Sequence, residues 1–240
     1  MLYQLSLHCI STRRNITQSK ATTTPNRSSS NLIIMSTTSV ADLSKFYNDP
    51  SQIDADPSLS TTLTTQHREH VALVLDLFQG HGTMKKIENG FVEDACYEDP
   101  VAYAKNRIEV AGQLLHIPTV TSSTQTHRAR IISLNPSVST TTGTSRPVIA
   151  DEIHVDFKHD LTFKIGATYH LETTLVVFST KEGIVRFQDR KSESIPENSL
   201  ALALRKLNGI IAPKVAGLPK DDEQDAEWSA QNEAKIGLEQ

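Results

Sequence analysis

The chain has 240 residues and a formal net charge of −4 at pH 7, from 24 basic and 28 acidic side chains. The sequence offers no basic face for a nucleic acid, and no apolar run is long enough to span a bilayer. The two cysteines, Cys9 and Cys96, cannot form a disulfide framework, so a reducing compartment fits the composition.

Residues 1–60 are predicted to be a disordered leader. No acidic residue precedes Asp42, and the basic residues of this stretch stand among Ser and Thr, as in an organelle transit peptide. An alternative is that translation starts at Met35, so that the residues before it are never made. The first interpretation predicts a mitochondrial protein and the second a cytoplasmic one. We take the cytoplasm as the predicted location, with mitochondria as the alternative.

Three helices are predicted before the main run of strands. Apolar residues recur at helical spacing in each of them, and Gly or Pro residues stand near their ends. The third would bury Ile108, Ala111 and Leu115. The predicted ranges are residues 66–79, 83–91 and 106–116.

The sequence that follows favours β-structure, because β-branched residues and alternating patterns dominate it. A Ser/Thr-rich loop is expected at residues 135–147 and a turn at 158–160, while Lys181, Glu182 and Gly183 predict a compact hairpin. Helices followed by antiparallel strands predict an α+β fold with helices on one side of a curved sheet. Strands are predicted over residues 94–99, 120–134, 148–157, 161–165, 168–180 and 184–191.

The C-terminal region predicts one more helix and an acidic tail. A stripe of Leu and Ile residues predicts the helix over residues 197–211. Residues 218–240 are rich in Asp and Glu, which is typical of a solvated extension. The alternative is a docking peptide with Trp228 as its anchor.

The segment Gly183–Arg190 provides the first candidate for chemistry. In a strand, Val185, Phe187 and Asp189 share one face, so a carboxylate ends an apolar stripe. A buried carboxylate has to be paired, hydrogen-bonded or protonated, because an isolated buried charge is too costly. The functional interpretation makes Asp189 a pocket acid or base. The structural alternative makes it an ordinary ion pair with Arg190 or with a basic residue from another element.

A second candidate pair lies on an earlier strand. His154 and Asp156 share a face two residues apart and could form an imidazole–carboxylate pair that moves a proton. One alternative is that both are surface groups. Another is a cross-strand polar cluster with His170 and Glu172, which repeat the same arrangement on the next long strand.

His67 and His70 stand three residues apart on the first predicted helix, so both can point the same way. No third ligand lies at a recognisable spacing. We therefore interpret the two histidines as part of a solvated polar face, and we predict no metal site and no cofactor.

Two segments of the chain resemble a known family. Phe91–Pro100 and Gly183–Arg190 are similar, in order and spacing, to motifs of SnoaL-like proteins of the nuclear transport factor two-like superfamily, in particular its uncharacterised fungal branch. The resemblance places a SnoaL-like domain at residues 61–217. It implies a cone-shaped α+β barrel, in which three N-terminal helices and a C-terminal helix accompany a curved antiparallel sheet. The mouth of that barrel holds a small hydrophobic molecule, often in a homodimer.

The resemblance also implies roles for particular residues. Members of the superfamily use pocket carboxylates as acids or bases, and the Asp of the last-strand motif falls on Asp189. The epoxide hydrolases place an Arg-x-Asp pair on an earlier strand, where this chain has His154-x-Asp156. That departure weakens the prediction of epoxide opening. Lys191 stands where the fungal pattern has Trp.

These observations predict a small-molecule binding protein. Tyr97, Val185 and Phe187 would line an apolar pocket with Asp189 at its polar end. Catalysis would be cofactor-free proton transfer, by an isomerase, a cyclase or a hydrolase. The alternative is a non-catalytic homodimeric interaction or structural module. Neither a nucleic acid nor a membrane is an expected partner.

Overall fold

The computed structural model of the protein describes residues 42–100, 102–190 and 217–237. Within these ranges the helices are α1 (Thr65–Phe78), α2 (Met84–Gly90), α3 (Arg107–Leu114), α4 (Ile117–Val120) and α5 (Asp222–Gly237). The strands are β1 (Asp54–Ala55), β2 (Phe91–Glu98), β3 (Tyr103–Ala104), β4 (Thr121–Thr141), β5 (Pro147–Phe163), β6 (Thr168–Thr180) and β7 (Gly183–Arg190). None of these helices is long and apolar enough to cross a membrane.

All seven strands form one sheet, in the order β1-β4-β5-β6-β7-β2-β3. The pairs from β4 through β7 are antiparallel, whereas β2 pairs with β7, and β1 with β4, in parallel. We call the sheet face that packs against α1, α2 and α3 the inner face, and the opposite face the outer face. The main hydrophobic core lies between the inner face and these helices. The predicted α+β class is confirmed.

The three predicted N-terminal helices are confirmed within a few residues at their ends. Thr64 caps α1, because its hydroxyl accepts a hydrogen bond from the backbone N–H of His67. Asn106 caps α3 in the same way. The predicted buried face of α3 is partly wrong, since Ile108 is 50% exposed while Val110 and Ala111 are fully buried.

The predicted loop at residues 135–147 and the predicted turn at 158–160 are wrong. β4 continues to Thr141 and β5 runs from Pro147 through to Phe163, so both segments are largely strand. A β-bulge between Asn135 and Val138 accommodates the proline that suggested a loop. The hairpin at residues 181–183 is confirmed, with β7 beginning at Gly183.

Gly183 is required where that hairpin meets α2. Its φ of +138° lies in the region that favours glycine. A Cβ atom at this position would stand 2.9 Å from the carbonyl oxygen of Gly90, too close for any L side chain. The hairpin therefore packs directly on the backbone at the end of α2.

The far end of the β4–β5 hairpin, residues 138–150, bends over the outer face, and we call it the arm. Val138, Val148 and Ala150 of the arm pack on Val176 and Phe178 of β6. The tip of the arm reaches β2 on the other side of the sheet. Its anchor there is Asp94, whose side chain and carbonyl bind residues 143–146.

Asp94 holds the arm tip through several bonds. Its carboxylate accepts hydrogen bonds from Arg146 at 2.8 and 3.1 Å and from the Thr144 hydroxyl at 2.9 Å. The Arg146 hydrogen bond is the main cause that lowers the pKa of Asp94 to about 2. Gly143 is needed here as well, because a Cβ atom would lie 2.0 Å from the carbonyl oxygen of Lys105.

The predicted leader is wrong for residues 42–60, which belong to the fold. Leu43 and Ile53 are buried, and β1 pairs with β4. Residues 1–41 lie outside the described residues, so the transit peptide, the start at Met35 and the location stay predictions.

Asp76 on α1 organises this N-terminal segment. Its fully buried carboxylate accepts hydrogen bonds from the backbone N–H groups of Tyr47 and Asn48, both at 2.9 Å. The Asn48 amide donates a third at 2.7 Å, and the ammonium of Lys86 on α2 lies 2.6 Å away. One buried ion pair therefore joins α1, α2 and the segment before them.

The predicted solvated tail is also wrong for the residues that the structure describes. Asp225 on α5 is buried and accepts hydrogen bonds from the backbone N–H groups of Met84 and Lys85, at 2.8 and 3.0 Å. Trp228 packs edge-on against His116, with ring centroids 5.6 Å apart. The acidic helix thus caps the start of α2. The helix predicted at 197–211 lies outside the described residues.

We predict that Asp76→Asn destabilises the protein by about 3 to 5 kcal/mol, because Lys86 would be left as an uncompensated buried charge. Urea unfolding followed by circular dichroism measures the change. Glu88→Gln, an exposed change on α2, is the control and should shift stability by less than about 0.5 kcal/mol. Equal effects of the two changes would contradict the role given to Asp76.

We predict that Asp225→Ala releases α5 from α2. Trp228 is the only tryptophan of the chain, so its fluorescence reports on this helix alone. Emission should move to longer wavelength, and quenching by iodide should increase. Glu223→Ala, an exposed change in the same helix, should alter neither. Unchanged emission in Asp225→Ala would show that other contacts hold α5 in place.

Candidate functional site

The inner face places Asp189 at the end of an apolar wall. Tyr97, Phe187 and Val177 are direct neighbours across β2, β7 and β6. In the next row, Asp189 on β7 lies opposite Leu175 on β6. Asp189 is only 7% exposed. A carboxylate therefore stands among apolar side chains beneath the helices, as the motif predicted.

Val185 does not share this face, which corrects the predicted alternation. A β-bulge in β7 lets Ile184 pair with Ser179 while Arg186 pairs with Phe178, so Val185 is the extra residue. Val185 consequently packs in the outer-face cluster, whereas Phe187 packs in the main core. Of the three residues predicted to line the pocket, only Tyr97 and Phe187 lie beside Asp189.

Thr173 supplies a hydrogen bond to Asp189, a contact that the sequence did not suggest. The Thr173 hydroxyl donates to Oδ1 of Asp189 at 2.5 Å, and both side chains are buried. The proposed ion pair with Arg190 is wrong, because Arg190 binds the Gln188 side chain on the outer face. Strand alternation separates Asp189 from the arginine next to it.

Aromatic rings form most of the wall next to this carboxylate. Tyr97 stacks on Phe187 with centroids 5.2 Å apart, and Phe78 of α1 meets Phe187 edge-on at 6.0 Å. The Tyr97 hydroxyl donates to Oδ2 of Asp99 at 2.8 Å. The wall is therefore fixed both by α1 and by the turn after β2.

His159 is an inner-face residue that the sequence reasoning missed. It was assigned to a turn, although the alternation of Ile153, Val155 and Phe157 continues to it. Its ring is fully buried and stacks on Phe157, and Nδ1 lies 2.9 Å from the Thr126 hydroxyl. Burial lowers the pKa of His159 to about 4, so the ring is neutral at pH 7.

His154 and Asp156 lie on the outer face, and the structure does not bring them to Asp189. They do not form the predicted pair with each other. Asp156 binds Arg128, with Nε 2.6 Å from Oδ2, and Arg128 also reaches Glu172 at 3.4 Å. Asp156 and Glu172 thus share a cross-strand cluster, as one alternative predicted, but His170 binds Asp160 and His154 lies 3.2 Å from Glu152.

The outer face carries a further polar network that the sequence reasoning did not identify. Glu98 on β2 is buried and accepts hydrogen bonds from Arg186 at 2.7 Å and from Gln188 at 2.6 Å. Gln188 in turn accepts from Arg190. The alternation of Arg186, Gln188 and Arg190 was visible in the sequence, but their partner on β2 was not.

His67 and His70 are buried rather than solvated, which corrects their assignment to a polar surface. His67 lies 3.1 Å from Asp151 of β5, and Nδ1 of His70 lies 2.7 Å from the Ser179 hydroxyl. Both histidines join α1 to the sheet. Among the described residues, no group of three side chains is placed to hold a metal ion.

The inner face brings together a buried carboxylate, a hydroxyl that donates to it and an aromatic wall. Asp189 is the carboxylate, Thr173 orients it, and Tyr97 and Phe187 form the adjoining wall. A carboxylate in such surroundings can act as a general base or acid without a cofactor. The roles of Asp189, His154 and Asp156 in catalysis stay predictions.

We predict that the protein loses stability as pH falls from about 6.5 to about 4. Burial lowers the pKa of His70, His81 and His159 to about 4, against 6.5 for an ordinary histidine. These histidines take up protons at higher pH in the unfolded chain than in the folded one. Each therefore lowers the free energy of unfolding by up to about 1.4 kcal/mol for each pH unit of acidification in this window. The free energy of unfolding, measured in urea at several pH values, should depend less steeply on pH in His159→Gln than in the wild-type protein. An NMR titration in which these rings protonate near 6.5 would contradict the prediction.

No protein-family model matches the sequence, and no curated protein matches it. Several solved structures are similar at low identity. One is a protein with a ketosteroid isomerase-like fold from Catenulispora acidiphila, in complex with trimethylamine (15% identity, 53% of this chain and 88% of that one, TM-score 0.37). Another is described as a SnoaL-like polyketide cyclase from Mesorhizobium loti (14% identity, 51% and 96%, TM-score 0.34). A third is a nuclear transport factor two-like protein from Anabaena variabilis (10% identity, 55% and 91%, TM-score 0.39). These solved structures include a SnoaL-like protein and a nuclear transport factor two-like protein, the two groups that the sequence motifs resemble. The fungal branch stays a prediction.

Proposed function

We propose that the protein binds a small, mostly apolar molecule at the inner face, with Asp189 as the polar group that orients it. The observation that carries this proposal is a carboxylate, 7% exposed, at the end of an aromatic wall. Tyr97 and Phe187, which are 4% and 0% exposed, form the buried aromatic wall beside it, and aromatic side chains commonly line small-ligand sites. A single placed polar group among apolar side chains gives such a site its orientation.

Proton transfer is the reaction that this arrangement supports best. A carbonyl compound held against the wall would place an acidic C–H near Asp189, which would take the proton and return it to another atom of the same molecule. The hydrogen bond from Thr173 holds the carboxylate in one orientation, as a general base requires. This step needs no oxidant and no cofactor.

The homodimeric module has less support from the geometry. Val176, Phe178 and Val185 on the outer face are each at most 5% exposed, because the arm already covers them. The large exposed apolar side chains of the described residues include Ile132 on β4, Ile149 on β5 and Ile165 in the turn between β5 and β6. The homodimer stays a prediction that sedimentation equilibrium can test.

The neutral dye Nile red tests the proposed site on the full chain. Asp189→Leu should tighten dye binding about 10-fold, because the dye would no longer desolvate a carboxylate. Its emission should also move to shorter wavelength. Fluorescence titration measures both effects.

The matched control is Glu172→Leu, which removes an outer-face carboxylate. It should leave dye affinity and emission unchanged. The proposal fails if the wild-type chain does not bind the dye saturably, or if Asp189→Leu and Glu172→Leu behave alike. Far-UV circular dichroism checks that both variants are folded.

A further inference from the structure

The arm encloses a groove against the outer face. This groove has a volume of about 400 Å³, which lies in the range of small-molecule sites. Val138 and Thr140 of the arm form one side, and Phe178, Arg186 and Arg190 of the sheet form the other. A neighbouring cavity of about 410 Å³ also has Arg190 in its wall. The groove is separate from the inner site, because the sheet lies between them.

Arg186 is the first guanidinium group that lines the groove. Its Nη2 donates to Glu98 at 2.7 Å and its Nη1 to the Thr141 hydroxyl at 3.1 Å. Its Nε is buried and has no hydrogen-bond partner among the described residues.

Arg186 also keeps its charge in this partly buried position. Burial alone would lower the pKa of its guanidinium, but the Glu98 carboxylate beside it holds that pKa above the ordinary value. The groove therefore retains a permanent cation at one end. Two of its three guanidinium nitrogens are held by Thr141 and Glu98, so the position of this cation is fixed.

Arg190 supplies a second guanidinium to the same groove. Its Nε and Nη2 both donate to the Gln188 side-chain oxygen, which is a neutral acceptor. The nearest carboxylate in an ion pair with it is Glu152, at 3.7 Å, too long for a hydrogen bond. Arg190 thus has donor capacity left for an anion.

The remaining lining restricts what kind of anion fits. Glu152 borders the groove, so a multiply charged anion such as phosphate would be repelled more strongly than a singly charged one. Val138 and Phe178 provide apolar surface beside the two guanidinium groups. A monocarboxylate with an apolar body satisfies both conditions.

We propose that the groove under the arm is a second binding site, which takes the carboxylate of a small amphipathic acid on Arg186 and Arg190. The apolar body of that acid lies against Phe178 and Val138. This site does not depend on Asp189 or on the function proposed for the inner face. It gives a use to the two guanidinium groups and to the arm that stands beside them.

The experiment is an NMR titration of the full chain with hexanoate, with hexanamide as the neutral match. Arginine Nε–H signals are followed in nitrogen–proton spectra. We expect the chemical shift of the Arg186 Nε–H signal to change saturably with hexanoate and to stay constant with hexanamide. Arg190→Met should weaken hexanoate binding about 10-fold or more, as expected for a lost charge-assisted hydrogen bond.

Two further variants keep the test decisive. Thr140→Trp fills the groove without removing a charge and should abolish binding, while Asp189→Asn, on the inner face, should leave it unchanged. A still Arg186 signal, equal shifts with hexanamide, or binding that survives both Arg190→Met and Thr140→Trp would each overturn the proposal. A still signal is also the result expected if a second copy of the chain covers this face.

Discussion

Phe187 and Asp189 face the helices because β7 carries one extra residue at Val185. Without that bulge, the alternation would place Ile184 on the opposite face from Phe187, and one of them would leave the core. The bulge lets both join the main core and sends Val185 to the outer cluster. The position of the candidate carboxylate thus follows from a local irregularity in β7. This strand begins at the Gly183 hairpin and pairs in parallel with β2.

The same strand divides the polar chemistry of the molecule between two faces. Asp189 is directed into the apolar interior, where Thr173 binds it, whereas Arg186 and Arg190 are directed outward, where Glu98, Gln188 and the arm surround them. In the described part of the chain, the inner site combines Asp189 with aromatic rings, and under the proposed function it takes an uncharged ligand. The outer groove has two guanidinium groups and suits an anion. Because the sheet separates them, one small ligand cannot contact both Asp189 and the second candidate pair, His154 and Asp156.

Local patterns in the sequence predicted those parts of the fold that depend on a few neighbouring residues. The helix periodicity of residues 66–79 and the hairpin glycine at 183 are examples, and both were right. The bulge at Val185 could not be predicted, because it depends on how β7 pairs with β6. Nor could the arm, since Pro136 and the Ser/Thr-rich composition look like a loop unless the partner strand is known. Pairings between distant residues, such as Glu98 with Arg186, leave no local signal in a single sequence.

Both proposed sites depend on the register in which β7 pairs with β6 and β2. A slip of one residue in β7 would exchange the faces of Asp189 and Arg190, and would place a cation in the core and a carboxylate under the arm. Glu98, paired with Arg186 and Gln188, opposes such a slip, because its buried charge would lose both partners. The Glu98–Arg186 ion pair, whose arginine also lines the outer groove, therefore helps to fix the register on which both sites depend. For the same reason, Arg190 is the better residue to change in the outer groove, because its loss removes only a proposed ligand contact. The loss of Arg186 would leave Glu98 without its charge partner. It would thereby weaken the strand pairing that positions Asp189.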